Sequence, residues 1–295
     1  MQSVPDWQKA AGSKMEFEVA SIRPSKPGTD TPPNFGFDVW DGYGTKGDPH
    51  GRLSADLTLE GYIEFAYKIW PTRNQQASMV SQLPKWVATE HFEIQAKAAG
   101  DPTKDQMCLM MQSLLADRFG LRVHFETRQV PVFILELEKP GTTGPQIRPH
   151  VDGSPCYLPV PPQTAGSPPT TDGISHPPCD VSSPPGLRFM PGNQIFLLSL
   201  DNTMKGLATA LPSVGLLERP VVDQTGLRGK FDLALSWTWT LESDAAAPPG
   251  AGRDPGSSGP TFLEALKDQA GLKLKPAKAP MDILVIDHVE EPSPN

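Results

Sequence analysis

Apolar and polar residues alternate along "MEFEVASIR", residues 15–23, where Phe17 and Val19 stand against Glu16 and Glu18. A period of two predicts a strand with one buried face. A long loop rich in Gly, Pro and Asp follows, and regular patterning resumes at residue 51. "RLSAD" predicts a short strand. "LEGYIEFAYKI" carries Leu59, Ile63 and Ala66 in one helical stripe, with Thr58 placed to cap its N-terminus. "HFEIQAKA" alternates again and puts Phe92, Ile94 and Ala96 on one face. A helix through "DQMCLMMQSLLADRF" ends at Gly120, a residue suited to a left-handed helix end. Two strands are then predicted over residues 121–127 and 132–138, closing a hairpin with Pro131 near its turn.

The same order of elements returns later in the chain. "SADLTLEG" (residues 54–61) is answered by "SLDNTMKG" (199–206), with Ser, Asp, Thr and Gly in the same four places. "HFEIQAKA" is answered by "KFDLALSW", "MQSLLADRFGL" by "FLEALKDQAGL", and "VPVFILELE" by "APMDILVIDHVE". Four matches in one order predict an internal duplication. The fold class expected is α+β, built from two related β-α-β-α-β-β halves. Residues 1–14 form a polar lead-in, 15–140 the first half and 189–292 the second, with a mobile insertion expected at 241–259. Between them, residues 141–188 hold twelve prolines and little periodicity, so they read as a linker or loop. Pro260 suits the first turn of the last helix. A ligand cleft is expected between the halves.

The shared residues have scaffold explanations. Thr58 and Thr203 cap helices, Gly120 and Gly271 end them, and Asp56 and Asp201 accept backbone donors at strand-to-helix turns. That weakens any assignment of chemistry to the repeat itself.

The formal charge of −8 is spread along the chain, which argues against a nucleic-acid partner, because phosphate binding needs a concentrated basic surface. No apolar run approaches the ~20 residues of a membrane span, and the opening residues lack the pattern of a signal peptide. Cys108 lies on an apolar helical face and reads as a small buried hydrophobe. Cys156 and Cys179 sit in the proline-rich segment and are expected to form a disulfide, which implies an oxidising compartment. The competing reading there is a metal site of His150, Cys156, His176 and Cys179, although the spacings match no standard zinc module.

The common catalytic motifs are absent: no nucleophile elbow, zinc helix, P-loop or Cys-x-x-Cys. No cofactor is predicted. Trp40, Asp41 and Tyr43 lie together in a loop where aromatics beside acids either stack on a flat ligand or pin the loop to the core. Trp86 belongs to the regular pattern and reads as core or ligand contact. His124 shares a strand face with Glu126 and could orient it, or the face is merely solvated.

The phrases "FEVASIRPS", "LTLEGYIEFAYKI", "LPKWVATEHFEIQAKA", "MMQSLLADRFGLRVHFETRQVPVFILELEKPG", "RPVVDQTGLRGKFDLALSW" and "APMDILVIDHVEEPSPN" carry a wider likeness. Together they resemble the large paralogous family of exported proteins, a domain of unknown function, first noted as expanded in soil Acidobacteria of the Solibacter type. The resemblance implies a periplasmic or secreted protein whose signal peptide has been removed. Some relatives are fused to, or lie near, BlaR-type membrane metallopeptidases, which implies sensing or a cell-envelope partner. The family supplies no catalytic residues to carry over. The strand–helix–strand modules are also loosely similar to the short periplasmic modules of secretins and TonB-dependent receptors. The function expected is a non-catalytic ligand-binding or sensor-like module for an unidentified small molecule or envelope partner. The alternative is a hydrolase of small esters, lactones or glycosides.

Overall fold

A computed structural model of the 295-residue chain describes residues 6–11, 15–26, 31–35, 50–151, 186–190, 193–238 and 259–293. Helices and strands are mixed in small sheets, so the α+β class holds. The chain divides into two compact units.

The first unit contains α1 (Asp6–Ala11), β1 (Val19–Ser25), β2 (Arg52–Thr58), α2 (Leu59–Tyr67), α3 (Arg73–Val80), α4 (Trp86–Thr89), β3 (His91–Lys97) and α5 (Lys104–Phe119). Its sheet has the order β1-β3-β2, all antiparallel, with Ile22 opposite Ile94 and Leu57 opposite Phe92. Pro24 fits because β1 is an edge strand, where the missing N–H breaks no shared ladder. Alternation sends Leu53, Ala55, Phe92, Ile94 and Ala96 into one core with α2 and α5. Tyr62 is buried there and its hydroxyl lies 2.8 Å from the Ala55 carbonyl and 2.7 Å from that of Phe92, so the polar end of the ring is satisfied. Cys108 is fully buried, as its helical face predicts, and burial pushes its thiol up to about 12.

The second unit contains β5 (Ile147–Pro149), β6 (Gly186–Met190), β7 (Gln194–Thr203), α6 (Met204–Val214), β8 (Val221–Asp223), β9 (Lys230–Thr238) and α7 (Phe262–Ala270). Its main sheet runs β5-β9-β7-β6 and is antiparallel at every pairing. Phe231, Leu233, Leu235 and Trp237 of β9 pack with Leu207, Leu211, Ala265 and Leu266 of the two helices.

Two sequence expectations are corrected here. The stretch read as a hairpin is one 16-residue strand, β4 (Arg122–Leu137), and the C-terminal stretch is a 17-residue strand, β10 (Leu272–His288). A tight hairpin needs residues at positive φ. The sequence between the two expected strands, "RQVP", offers none, and no residue of β4 has positive φ. Strand β4 lies between β10 and β8, and its latter part pairs in parallel with β8, Phe133 opposite Val221. Each long strand starts in one unit and ends in the other, so residues 132–140 group with the second unit and 278–295 with the first.

The second correction is Pro260, which precedes the helix. Thr261 is the N-cap of α7, and Thr261 and Glu264 form a reciprocal capping box. The local devices expected of the repeat do recur. Thr58 and Thr203 accept hydrogen bonds from Gly61 and Gly206, and Gly120 and Gly271 end their helices in the left-handed region. Asp56 and Asp201 differ from expectation: their carboxylates accept side-chain donors, Ser25 and Lys230 respectively. The expected Cys156–Cys179 disulfide and the insertion at 241–259 lie outside the described residues.

The end of α7 decides where β5 goes. Gly144 N–H donates to Ala270 O (2.8 Å) and Gln146 N–H to Gln269 O (2.8 Å), and Ala234 N–H then donates to Gln146 O (3.0 Å). A Cβ on Gly144 would fall inside van der Waals contact with the backbone of Gln269, Ala270 and Gly271. Replacing Gly144 with Ala is expected to lower stability by about 1–3 kcal/mol, the usual range for overpacking. Thermal unfolding checks this; an unchanged Tm would show that the strap yields without cost.

Candidate functional site

Strand β5 places Arg148 directly opposite Asp232 on the neighbouring strand β9. Asp232 alternates with Phe231 and Leu233, so its carboxylate points away from the helix-packed core, toward the side bearing Ala234 and Leu200. On its other flank, the β7–β9 register shifts between Ser199 and Asn202, so Leu200 and Asp201 together face Asp232. Such a bulge leaves a backbone group without its ladder partner. Here Asp201 N–H donates to Asp232 Oδ1 at 3.1 Å, and Asp201 itself sits at φ 56°. Strain of this kind in a non-glycine residue is held by surrounding contacts and marks sites of function more often than ordinary turns.

Asp232 thus gathers groups from three strands and their flanks. Arg148 Nε lies 3.3 Å from its Oδ2, and His150 Nδ1 lies 2.7 Å from its Oδ1. The side chains of His150 and Asp232 are only 4% and 3% exposed. His150 Nε2 is 3.8 Å from Asp201 Oδ1, and Lys230 Nζ donates to Asp201 Oδ2 at 2.8 Å. Two carboxylates therefore face Arg148, Lys230 and an imidazole. A buried carboxylate is tolerable only with such partners. Two buried atoms of the group have no hydrogen-bond partner, Arg148 Nη2 and Asp201 Oδ1.

The first unit has two further polar groups. Glu60 and Glu64 lie one turn apart on α2, and Gln76 Nε2 of α3 donates to Glu64 Oε1 at 2.9 Å. Burial pushes Glu64 up to about 7, aided by the Glu60 charge and opposed by the Gln76 hydrogen bond; burial raises Glu60 as well. His124 bridges Glu126 (Nε2–Oε1 2.9 Å) and Asp287 of β10 (Nδ1–Oδ2 2.8 Å), while Arg128 pairs with Glu126. The Glu126 and Asp287 bonds hold the imidazole above its ordinary pKa; the same His124 bond, with Arg128, holds Glu126 below the usual carboxylate range. This group is an ion-paired strand face.

Of the residues singled out in the sequence, His124 lies in that face and Trp86 packs on the first core. The Trp86 ring stacks on Phe119 at 6.4 Å and meets Phe92 edge-on at 6.2 Å. Trp40, Asp41, Tyr43, Cys156, His176 and Cys179 lie outside the described residues. His150 bonds Asp232, and among the described residues no group of three or more His, Cys, Asp or Glu is placed to hold a metal ion. No helix of the described residues is long and apolar enough to cross a membrane. The Asp232 centre was missed because its members are far apart in sequence. One signal was present: "KFDLALSW" sets an acid between apolar residues in a strand buried on both faces, which demands a partner.

The raised Glu64 fixes a sign for pH dependence. Below its ordinary pKa of 4.5 the group is protonated in both folded and unfolded chains. Between there and about 7 only the unfolded chain ionises, so stability is lost as pH rises through that window. Glu64→Gln is expected to raise stability by about 1–3 kcal/mol at pH 8 and to have little effect below pH ~4.5. Denaturant titrations of both proteins at the two pH values measure the difference; a gain that does not depend on pH would refute the assignment.

No curated protein and no solved structure matches the chain. The family model of the DUF3738 proteins, described as proteins of unknown function, matches residues 60–289 and so takes in the second core, most of the first, the two long strands and every residue of the Asp232 centre. The chain belongs to the DUF3738 family.

Proposed function

We propose that this protein is an exported, non-catalytic ligand-binding or sensor-like module, and that its small-molecule ligand seats at the Asp232 centre. The observation that carries the reading is a charged group fixed before any ligand arrives, yet short of partners. Asp232 holds Arg148, His150 and the Asp201 backbone in place, and two buried polar atoms beside it remain unsatisfied. Leaving such an atom unpaired costs roughly 1–3 kcal/mol. A binding site tolerates that cost because a ligand removes it on arrival, and fixed partners reduce the ordering cost of binding. Export is supported by the likeness to exported proteins in the sequence phrases, and a periplasmic or secreted location follows from it.

A thermal-shift screen of the full chain against a broad panel of small polar metabolites tests the reading. At least one compound is expected to raise Tm in proportion to its concentration, with the shift lost in Arg148→Ala. A panel with no Arg148-dependent shift would remove the reading's content. Asp232→Asn is expected to cost stability, on the order of 2–4 kcal/mol, because it leaves partly buried cations uncompensated; chemical denaturation measures it.

The hydrolase reading rests on one feature, the Asp232–His150 hydrogen bond, which orients an imidazole as an acid does in general-base catalysis. Aryl ester, lactone and aryl glycoside substrates distinguish the two. Turnover abolished by His150→Ala would favour the enzyme, whereas the binding module predicts no His150-dependent turnover.

A further inference from the structure

The two unsatisfied atoms of the Asp232 centre have opposite hydrogen-bonding roles, and together they describe the chemistry of a ligand. Arg148 keeps a permanent positive charge, and a guanidinium can only donate. Its Nε is engaged by Asp232, while Nη2 is buried without an acceptor. The side chain as a whole is 39% exposed, so the guanidinium borders solvent while Nη2 itself is buried. The group that best fits a guanidinium edge is a carboxylate, which accepts charge-assisted bonds in a planar geometry. Asp201 presents the reverse. Its Oδ2 takes the Lys230 ammonium, and its buried Oδ1, 3.8 Å from His150 Nε2, accepts no hydrogen bond. An ionised carboxylate accepts only, so this atom calls for an N–H or O–H.

Both residues are tied to one carboxylate, Arg148 to Asp232 Oδ2 and Asp201 through its backbone N–H to Asp232 Oδ1. The two open positions therefore lie on either side of a single side chain. Charge narrows the choice further. The permanent cations Arg148 and Lys230 match Asp201 and Asp232 in number, so the centre has no fixed excess of positive charge to spend on a plain anion. A dianion would meet Asp201, and a simple cation would meet Arg148. A molecule carrying one carboxylate and one ammonium satisfies both atoms and leaves the balance intact.

We infer that the ligand class of the Asp232 centre is a small zwitterion of the amino-acid type, its carboxylate on Arg148 and its ammonium on Asp201. This rests on the ligand-binding reading above and adds the chemistry of the ligand to it. Residue Asp201 then owes its bulged, left-handed backbone to function, since the bulge is what turns its carboxylate toward the Asp232 side of the sheet.

The test is isothermal titration of the full chain with glycine, alanine, glutamate and lysine, beside acetate, lactate and ethylammonium. The zwitterions are expected to bind at least tenfold more tightly than acetate, lactate or ethylammonium. Two variants separate the contacts. Asp201→Asn keeps the size of the side chain and tolerates positive φ; it is expected to weaken alanine at least tenfold and to leave lactate unchanged. Arg148→Lys keeps the charge but loses the guanidinium donor, and is expected to weaken both. Circular dichroism confirms that each variant is folded, and Arg148→Lys stands alone if Asp201→Asn is not. Lactate binding as tightly as alanine, or indifference of alanine to Asp201→Asn in a folded variant, overturns the zwitterion assignment while the binding reading stands. So does failure of every amino acid when the broader metabolite panel yields an Arg148-dependent ligand. Failure of both panels overturns both.

Discussion

One carboxylate organises the polar side of the second unit. Asp232 sits on β9 with β5 on one flank and β7 on the other, and it bonds to residues on both. Burying an unpaired carboxylate would be prohibitive, so the two neighbours must supply donors. Strand β5 supplies Arg148 and, just beyond its end, His150. Strand β7 supplies a backbone N–H that exists as a spare donor only because the strand bulges. The bulge on one flank and the buried histidine on the other thus both serve to satisfy Asp232.

The corresponding place in the first unit shows what happens without that requirement. Glu93 of β3 answers Asp232 in the repeated pattern, and Asp56 of β2 answers Asp201. There the two residues pair in regular register with no bulge, Glu93 bonds Gln95 and Asp56 bonds Ser25. A strand followed by a threonine-capped helix occurs in both units, beside a buried charged centre in one and an ordinary polar strand face in the other. What distinguishes the two places is a one-residue bulge between Ser199 and Asn202.

Much of the scaffold was legible. Thr58, Thr203, Gly120 and Gly271 act over a few residues, so their roles as caps and stops depend on local sequence alone. The core faces of β3 and α5 were readable from period, and so was the burial of Cys108. The path of the chain at Pro131 was not. Proline there suggested a turn, but the neighbouring residues are strand formers and the partner that keeps them extended, β8, lies about ninety residues further on. Strands β5 and β6 escaped notice because short segments flanked by prolines carry too little period to register.

The sequence by itself determined the α+β class, the order of most elements, their capped ends and which faces are apolar, because each is a matter of neighbours one to four residues apart. Only the tertiary structure decided the partners of Asp232. Arg148 and His150 lie some eighty residues from Asp232, and Asp201 some thirty, and they meet through strand register and one bulge. Register is fixed by the packing of whole strands on a core, so no local pattern around these four residues could have announced that they form one centre.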